Sequence, residues 1–302
     1  MMSLLFRKLW LAGQARLTGA LLGLGCLSGF AAEPFFFIQL TDPQLGMFAT
    51  NANFAQETAN LEFAVATVNR LRPAFVVVTG DLVNQPGDAA QIAEYKRIMG
   101  RVDAGIPVYH VAGNHDLGSV PTPQSVAAYT NAFGRDSYTF QHGDFAGVVL
   151  NSGLIHSPQK APDLCAAQER WLRTELERLT NRNARPLVLF QHHSWFLKSA
   201  DEPDEYFNLP LESRNKYLPL LRSAGVRFVF CGHYHRNAVA TDGGLEVVTT
   251  GPVGKPLGKD SKSGLRVVIV RGEEIEHQFY DFGDLPDRIE LYARRPKSAP
   301  PR

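Results

Sequence analysis

Short apolar runs dominate the pattern of this chain, and five of them end directly in a cluster of polar side chains. Apolar runs of four to six residues are typical of buried β-strands, because a strand covered on both faces needs no alternation of polar and apolar positions. The runs span residues 35–40, 75–79, 108–111, 145–150, 187–190, 226–230, 246–249 and 265–270. A fold built around buried β-sheet is therefore predicted.

Helical patterns separate the early runs. Apolar residues recur at helical spacing within residues 60–72 and 166–180. Turn sequences at 142–144 and 242–244 join neighbouring runs and predict antiparallel hairpins. Because no repeat or long linker interrupts residues 33–285, we predict one α/β catalytic domain there, with mixed sheet inside and helices outside.

Composition places the chain among globular proteins. Of its 302 residues, 44% are hydrophobic and 20% are charged, which fits neither a disordered chain nor a disulfide scaffold. The net charge of +1 gives no overall field to hold a phosphate backbone, so nucleic-acid binding is not expected. This near-neutrality arises from the ends: three of the 31 basic residues lie within residues 1–32 and four within 294–302, so the body between them is acidic.

The first 32 residues have the features of a secretory signal peptide. They combine three basic residues, no acidic residue and an apolar stretch that ends in small residues. We predict cleavage after about Ala31 or Ala32, a secreted or periplasmic protein, and no stable membrane span after cleavage. An uncleaved N-terminal membrane anchor is the alternative, although the apolar stretch is shorter than the roughly 20 residues of a spanning helix.

Two further features concern the mature chain. Cys165 and Cys231 could pair in an oxidising compartment, but two isolated thiols fit their sequence surroundings better. Residues 286–302 are basic and rich in proline, and we predict that they form a tail. The sequence does not indicate an oligomeric state.

Functional side chains are concentrated where apolar runs end. The clusters occupy residues 41–44, 80–84, 113–116, 191–193 and 232–235. Because ligands of open α/β sheets bind beyond the carboxyl ends of strands, these turns are expected to converge on one crevice. Glycines precede Asp81, Asn114 and His233, and they fit sharp turns at those positions.

The collected side chains are carboxylates, amides and imidazoles without thiolates, a set that suits two divalent cations. The predicted ligands, with Asp81 bridging both ions, are Asp42 and His235 for one ion and Asn114, His192 and His233 for the other. Two ions about 3.5 to 4 Å apart lower the pKa of a bridging water and clamp the attacking and leaving oxygens of an in-line phosphoryl displacement. The sequence therefore predicts a hydrolase site.

These clusters resemble, in order and spacing, the five signature motifs of the calcineurin-like metallophosphoesterase superfamily over nearly the whole mature chain. The resemblance is closest to the calcineurin-like phosphoesterase domain-containing proteins described as serine/threonine protein phosphatases. It extends to residues 42–46, 113–116, 150–152, 206–209, 232–237 and 264–268. It implies a four-layer α/β/β/α sandwich with two mixed β-sheets and a dinuclear metal centre.

One position departs from the superfamily pattern, because Gln44 stands where a histidine usually ligates the first ion. An amide oxygen is a weaker, neutral ligand, so Gln44 binds directly or through water, and the ions (Mn, Fe, Mg or Zn) stay unassigned. In the histidine pair the ligand is assigned to His192 from the position of the family's histidine, with His193 as the fallback.

The residues and the resemblance together predict a metallophosphoesterase that hydrolyses a phosphomonoester, a phosphoprotein among the candidates, through a hydroxide that bridges the two ions. His115 is the predicted general acid, Asp116 is expected to hold its other ring nitrogen, and Arg236 is a candidate to stabilise phosphoryl oxygens. An acidic and then aromatic loop at 201–207 either covers the cleft or is simply solvated. The alternatives are a phosphodiesterase or nucleotidase with the same centre, and a non-catalytic metal- or ligand-binding protein.

Overall fold

Two mixed β-sheets face each other in the computed structural model, which describes residues 33–292 of the chain. The first sheet has the strand order β11-β10-β1-β2-β3, and the second has the order β4-β5-β6-β7-β9-β8. The strands are β1 (Phe35–Leu40), β2 (Val76–Val78), β3 (Val108–His110), β4 (Tyr138–His142), β5 (Phe145–Val149), β6 (Leu187–Phe190), β7 (Val226–Cys231), β8 (Ala238–Asp242), β9 (Leu245–Thr249), β10 (Gly264–Arg271) and β11 (Glu274–Asp281).

Helices cover the outer face of each sheet. They are α1 (Ala55–Leu71), α2 (Ala89–Met99), α3 (Asn114–Leu117), α4 (Pro123–Phe133), α5 (Ser152–His156), α6 (Pro162–Asn181) and α7 (Leu211–Ser223), with a 3-10 turn at Pro158–Lys160. Local sequence explains several of their starts. Asp88 caps α2 by accepting hydrogen bonds from two main-chain amides, and Thr122 with Ser125 forms a capping box at α4.

Alternation along the strands sorts apolar side chains into three layers. In β1, Phe37 points to the space between the sheets, whereas Phe36 and Ile38 point to the helices of the first sheet. The layer between the sheets is rich in phenylalanine, and Gly147 in β5 leaves the room that the Phe140 ring occupies. The predicted four-layer α/β/β/α sandwich is confirmed.

The parallel strands bring the predicted clusters to one edge. In the first sheet β1, β2 and β3 run parallel, and in the second sheet β5, β6, β7 and β9 do so. Each of the five polar clusters begins within three residues of the carboxyl end of β1, β2, β3, β6 or β7. Main-chain hydrogen bonds then join the strand ends, as Gly232 N donates to the His192 carbonyl at 3.0 Å.

Both predicted hairpins are present, β4 with β5 and β8 with β9. The predicted apolar runs did not include β4, β8 or β11, although the turn sequences implied hairpin partners for β5 and β9. These three strands lie at sheet edges and are only partly buried, so they carry no continuous apolar run. Helices α2 and α7 were also missed, and α7 contains an interior proline, Pro219.

The predicted ends of the chain are only partly visible. The predicted signal peptide, residues 1–32, lies outside the described residues, as do residues 293–302 of the predicted tail. The body continues past residue 285. Ile289 and Leu291 pack against the apolar layer between the first sheet and its helices, and Arg271 donates to the Leu291 carbonyl. Within residues 33–292, both Cys165 and Cys231 are free, and no helix is long and apolar enough to cross a bilayer.

Candidate metal centre

Most of the predicted ligands adopt an unusual backbone conformation. Positive φ angles of 41° to 69° occur at Asp42, Gln44, Asp81, His233 and His235. The left-handed region costs a non-glycine residue about 1 to 2 kcal/mol, and it persists only where the surrounding structure enforces it. The sharp turns therefore lie at the ligands themselves, and the concentration of strain marks this edge of the sheets as a functional site.

The glycines that precede ligands mainly provide space. A Cβ atom at Gly113 would overlap the carboxylate of Asp81, and one at Gly232 would overlap that of Asp42. Gly80 has a φ of +93° as well as a close approach to the His192 ring. The expectation of a glycine-dependent turn holds for Gly80 and is wrong for the other two, where close packing against a carboxylate requires glycine.

The predicted ligands meet in two groups that share one carboxylate. Ligand atoms of Asp81, His192 and His233 lie within 4.8 Å of one another, and so do those of Asp42, Asp81 and His235. We name the position between Asp42, Asp81 and His235 the first ion site and the other the second ion site. Asn114 joins the second, since its Oδ1 lies 3.0 Å from Nε2 of His192.

Main-chain carbonyls fix the three histidine rings of this cluster. A carbonyl oxygen can only accept, so the ring nitrogen that faces it carries a proton, and in the neutral ring the other nitrogen has a lone pair for a cation. The pairs are Nδ1 of His192 with Thr79 at 2.8 Å, Nδ1 of His235 with Lys255 at 2.6 Å, and Nε2 of His233 with Tyr206 at 3.0 Å.

Two oxygen atoms in the cluster test whether a cation fits. Oε1 of Gln44 is buried and accepts no hydrogen bond from the described residues, and Oδ2 of Asp81 is buried and faces Nε2 of His192 at 3.2 Å. A buried acceptor without a partner is costly, and an anionic one more so. Divalent ions ligated by these oxygens would remove that cost, so the residues present fit a dimetal centre.

Charge compensation in the cluster is incomplete without cations. Burial raises the pKa of Asp42. Burial also opposes ionisation of Asp81, yet the nearby His192, with Nε2 3.2 Å from Oδ2, outweighs it and holds the pKa of Asp81 low. Burial would lower the pKa of His192, but the Asp81 and Asp42 carboxylates raise it to about 9. A protonated imidazole thus occupies the role that a divalent ion would take, and ion binding would release that proton.

Asp116 does not contact the His115 ring. Its carboxylate accepts main-chain hydrogen bonds from Leu82 at 2.9 Å, Val83 at 3.2 Å and Gly113 at 2.8 Å, and burial together with repulsion from Asp81 raises its pKa to about 8. The predicted Asp116–His115 pair is wrong, because consecutive residues of a helix point in different directions. Asp116 instead ties the turn after β2 to the turn after β3.

His115 is held by other partners. Its main-chain amide donates to Oδ1 of Asp81 at 2.8 Å, and its ring Nδ1 donates to the carbonyl of Asn84 at 2.8 Å. The ring is only partly buried, so Nε2 is the nitrogen left to meet a substrate. His115 therefore lies beside the shared carboxylate of Asp81, and the Asn84 carbonyl fixes the orientation of its ring.

The structure places His192 and His193 differently. His192 belongs to the ligand cluster, whereas Nδ1 of His193 lies 2.9 Å from Oγ of Ser152. That hydroxyl oxygen already accepts from the amides of both histidines, so it donates its proton to His193. Burial lowers the pKa of His193, and its ring packs between His156 and His233.

Arg236 lies at the exposed rim of the site. Its Nε donates to the Leu257 carbonyl at 2.6 Å, and its guanidinium stands 5.2 Å from the ring of Tyr234. Within the described part of the chain, its guanidinium forms no hydrogen bond or ion pair with a predicted ligand.

The loop at residues 197–209, here named the aromatic loop, is held in place by hydrogen bonds to charged side chains. Glu202 accepts from the amides of Leu197, Lys198 and Ser199. Arg214, whose side chain is fully buried, donates to two main-chain carbonyls of the loop and to Asp204 at 3.0 Å. Glu202 and Asp204 of the aromatic loop therefore stabilise its conformation.

The aromatic loop places two rings at the mouth of the centre. Tyr206 is 57% exposed, and its ring lies 4.8 Å from that of His233. Phe207 packs between His233 and Tyr234. The two aromatic residues of this loop are evident in the sequence, but only the fold shows that they flank the predicted ligand His233.

This arrangement is that of a metallophosphoesterase. The sequence profile of the family described as Calcineurin-like phosphoesterase matches residues 37–237, and the chain belongs to this dimetal-dependent family of hydrolases that act on phosphoester bonds. It is 38% identical over 270 residues to the Serine/threonine-protein phosphatase CPPED1 of Rattus norvegicus, a match that covers 84% of this chain and 86% of that protein.

Two other similarities are more distant. The chain is 27% identical over 215 residues to the "Probable cyclic nucleotide phosphodiesterase RPA0124" of Rhodopseudomonas palustris, covering 66% of this chain and 71% of that protein. A solved dimetal phosphatase from Danio rerio shares the fold, with a TM-score of 0.53 and 18% identity over 82% of this chain and 99% of the other.

Proposed function

We propose that this protein is a dimetal phosphomonoesterase, with a phosphoprotein as one candidate substrate. The observation that carries the proposal is the sharing of Asp81 between the two ligand groups, which would allow two cations to bind side by side. Two bound divalent ions supply a nucleophile derived from water at neutral pH and stabilise charge on the phosphoryl oxygens. The similarity to proteins named serine/threonine-protein phosphatases supports a monoester substrate.

Residues of the protein would orient the ester and donate a proton to the leaving oxygen. His115, held at Nδ1 by the Asn84 carbonyl, would donate a proton from Nε2 to the leaving oxygen. Arg236, exposed at the rim, would pair with phosphoryl oxygens as a charged fork after its guanidinium turns inward. Asp116 contributes by fixing the turns that carry Asp81 and His115.

A phosphodiesterase or nucleotidase is the second candidate. The rings of Tyr206 and Phe207 at the mouth of the centre could stack on a base. The similarity to a protein named as a probable cyclic nucleotide phosphodiesterase points the same way. A simple aryl monoester and the corresponding bis-ester distinguish the two activities.

Metal analysis combined with a phosphoester panel tests the function. The protein is expected to bind two divalent ions per chain and to hydrolyse monoesters faster than diesters. An Asp81→Asn variant, which lacks the shared charge, is the negative control. It should lose bound metal and also lose activity. Two bound ions without hydrolysis of any phosphoester would favour the non-catalytic alternative.

We also propose a secreted or periplasmic location, supported by the composition of residues 1–32. Expression of the full chain followed by N-terminal sequencing tests this. A mature N-terminus at about residue 32 or 33 in the secreted fraction is expected, whereas an intact N-terminus in the membrane fraction would establish the anchored alternative.

A further inference from the structure

A chain of hydrogen-bonded side-chain amides leads from main-chain groups to the predicted ligand that departs from the family pattern. We name it the amide relay. Its members, in order, are Gln91, Asn51, Asn84 and Gln44. An amide side chain has a donor end and an acceptor end, so each link of such a chain constrains the orientation of the next.

The direction of the amide relay is set at Gln91. Its Oε1 accepts from the main-chain amides of Asn84 at 3.0 Å and Gln85 at 2.9 Å. Only an oxygen can accept both bonds, so the NH2 group of Gln91 must face the other way. It donates to Oδ1 of Asn51 at 2.9 Å. The main chain, which cannot be reversed, thus fixes the first link.

The next two hydrogen bonds determine the orientation of the Gln44 amide in the same way. Oδ1 of Asn51 also accepts from Nδ2 of Asn84 at 2.8 Å, although Asn51 itself is exposed. Oδ1 of Asn84 consequently faces Gln44 and accepts from its Nε2 at 3.1 Å. The atom of Gln44 that remains is Oε1, which is buried and accepts no hydrogen bond from any residue of the described range 33–292.

The backbone makes room for this arrangement. A Cβ atom at Gly46 would come within 2.7 Å of Nε2 of Gln91 and 2.8 Å of Oδ1 of Asn51. Gly46 also has a φ of +108°, a conformation that side chains disfavour. A glycine two residues after Gln44 therefore preserves the link between Gln91 and Asn51.

We propose that the amide relay is a positioning device that turns Oε1 of Gln44, and not its NH2 group, toward the first ion site. A reversed amide would present two N–H donors to a cation, so an amide ligand needs a partner that fixes its orientation. A carboxylate needs none, because its two oxygens are equivalent. The inference rests on the dimetal centre of the proposed function and makes Asn84 a positioning residue.

A double-mutant cycle between positions 84 and 44 tests this. Metal-stripped mature protein is titrated with Mn²⁺ by calorimetry, so the readout is affinity and stoichiometry rather than turnover. Asn84→Leu removes the acceptor for Nε2 and is expected to weaken binding of one of the two ions about 10- to 100-fold, the usual cost of losing an outer-sphere partner. Asn84→Asp keeps an acceptor and should retain both ions.

The decisive comparison uses Gln44→Glu, whose carboxylate has no orientation to fix. In that background Asn84→Leu should leave Mn²⁺ affinity within about twofold. Equal losses in both backgrounds would show that Asn84→Leu acts on the fold, and unchanged affinity in the Gln44 protein would show that no positioning is needed. Either result overturns the inference.

The outcomes also separate this inference from the proposed function. A wild-type protein that binds two ions, shows the coupling and hydrolyses no phosphoester would overturn the function and leave the amide relay established. A wild-type protein that binds fewer than two ions would overturn both.

Discussion

The main-chain carbonyl of Tyr206 accepts a hydrogen bond at 3.0 Å from Nε2 of His233, while the ring of the same tyrosine lies 4.8 Å from the imidazole. The carbonyl leaves Nδ1 of His233 as the nitrogen able to bind a cation. The ring, 57% exposed, is open to solvent beside this predicted ligand. One residue of the aromatic loop therefore serves a predicted ligand through its main chain and the mouth of the centre through its side chain.

Replacing the Tyr206 ring should affect substrates that carry a planar group. Tyr206→Ala is expected to raise KM for an aryl phosphate about 3- to 10-fold, because an aromatic contact is worth about 0.5 to 1.5 kcal/mol. Tyr206→Phe should keep most of that contact. Metal content should stay at the wild-type level in both variants, because the main-chain carbonyl remains. Steady-state kinetics with an aryl and an alkyl phosphate check this, and an equal rise in KM for both would contradict it.

Removing the anchor of the aromatic loop should destabilise the protein. Arg214→Met leaves the carbonyls of Ala200 and Glu202 without their donor, and we expect a loss of about 3 kcal/mol in the free energy of unfolding. Lys216→Met, an exposed ion-pair partner on the same helix, is the matched control and should cost less than about 1 kcal/mol. Urea unfolding measures both, and similar losses would rule out a special role for Arg214.

His115→Ala should slow turnover while both ions stay bound. General acid catalysis contributes about 10²- to 10⁴-fold, and an alkyl leaving group needs the proton more than an activated aryl one does. The fall in kcat should therefore be larger for an alkyl phosphate. His142→Ala, in the hairpin between β4 and β5, is the control. A loss that is the same for both leaving groups would argue against proton donation by His115.

Acid should destabilise the protein partly through His110, the last residue of β3. Burial, with a smaller effect of Lys96, lowers the pKa of His110 to about 4. A group with a lowered pKa in the folded state stabilises the fold above its unfolded pKa of about 6.5, and this stability is lost as the pH falls toward 4. Wild type should lose at most about 2 kcal/mol more than His110→Leu between pH 7 and pH 5. Urea unfolding at both pH values measures the difference, and parallel losses would contradict the assignment.

Buried central strands were the part of the fold best predicted from the sequence. The runs at 35–40 and 187–190 coincide with β1 and β6, because strands covered on both faces must be continuously apolar. Edge strand β11 was missed because it is only partly buried and tolerates polar residues such as His277 and Gln278. Long-range pairing, rather than local pattern, places such strands.

The candidate site was predicted in composition but not in its hydrogen bonds. The positions of Asp42, Asp81 and the histidines followed from polar residues at strand ends. The role of Asp116 was mistaken, because its partners Leu82 and Val83 lie more than thirty positions away in the sequence. The contribution of the Tyr206 carbonyl left no signal in the sequence, since every residue has a carbonyl.

The sequence by itself determined which chemical groups arrive at the edge of the sheets, because strand periodicity and the turns that follow are local properties. Only the tertiary structure decided which atoms of those groups remain available. Among the described residues, Oε1 of Gln44 accepts no hydrogen bond, because Asn84, forty positions away in the sequence, takes up the other end of the same amide. Hydrogen-bond saturation depends on the complete set of three-dimensional neighbours, and it is this property that distinguishes a metal ligand from a structural polar residue.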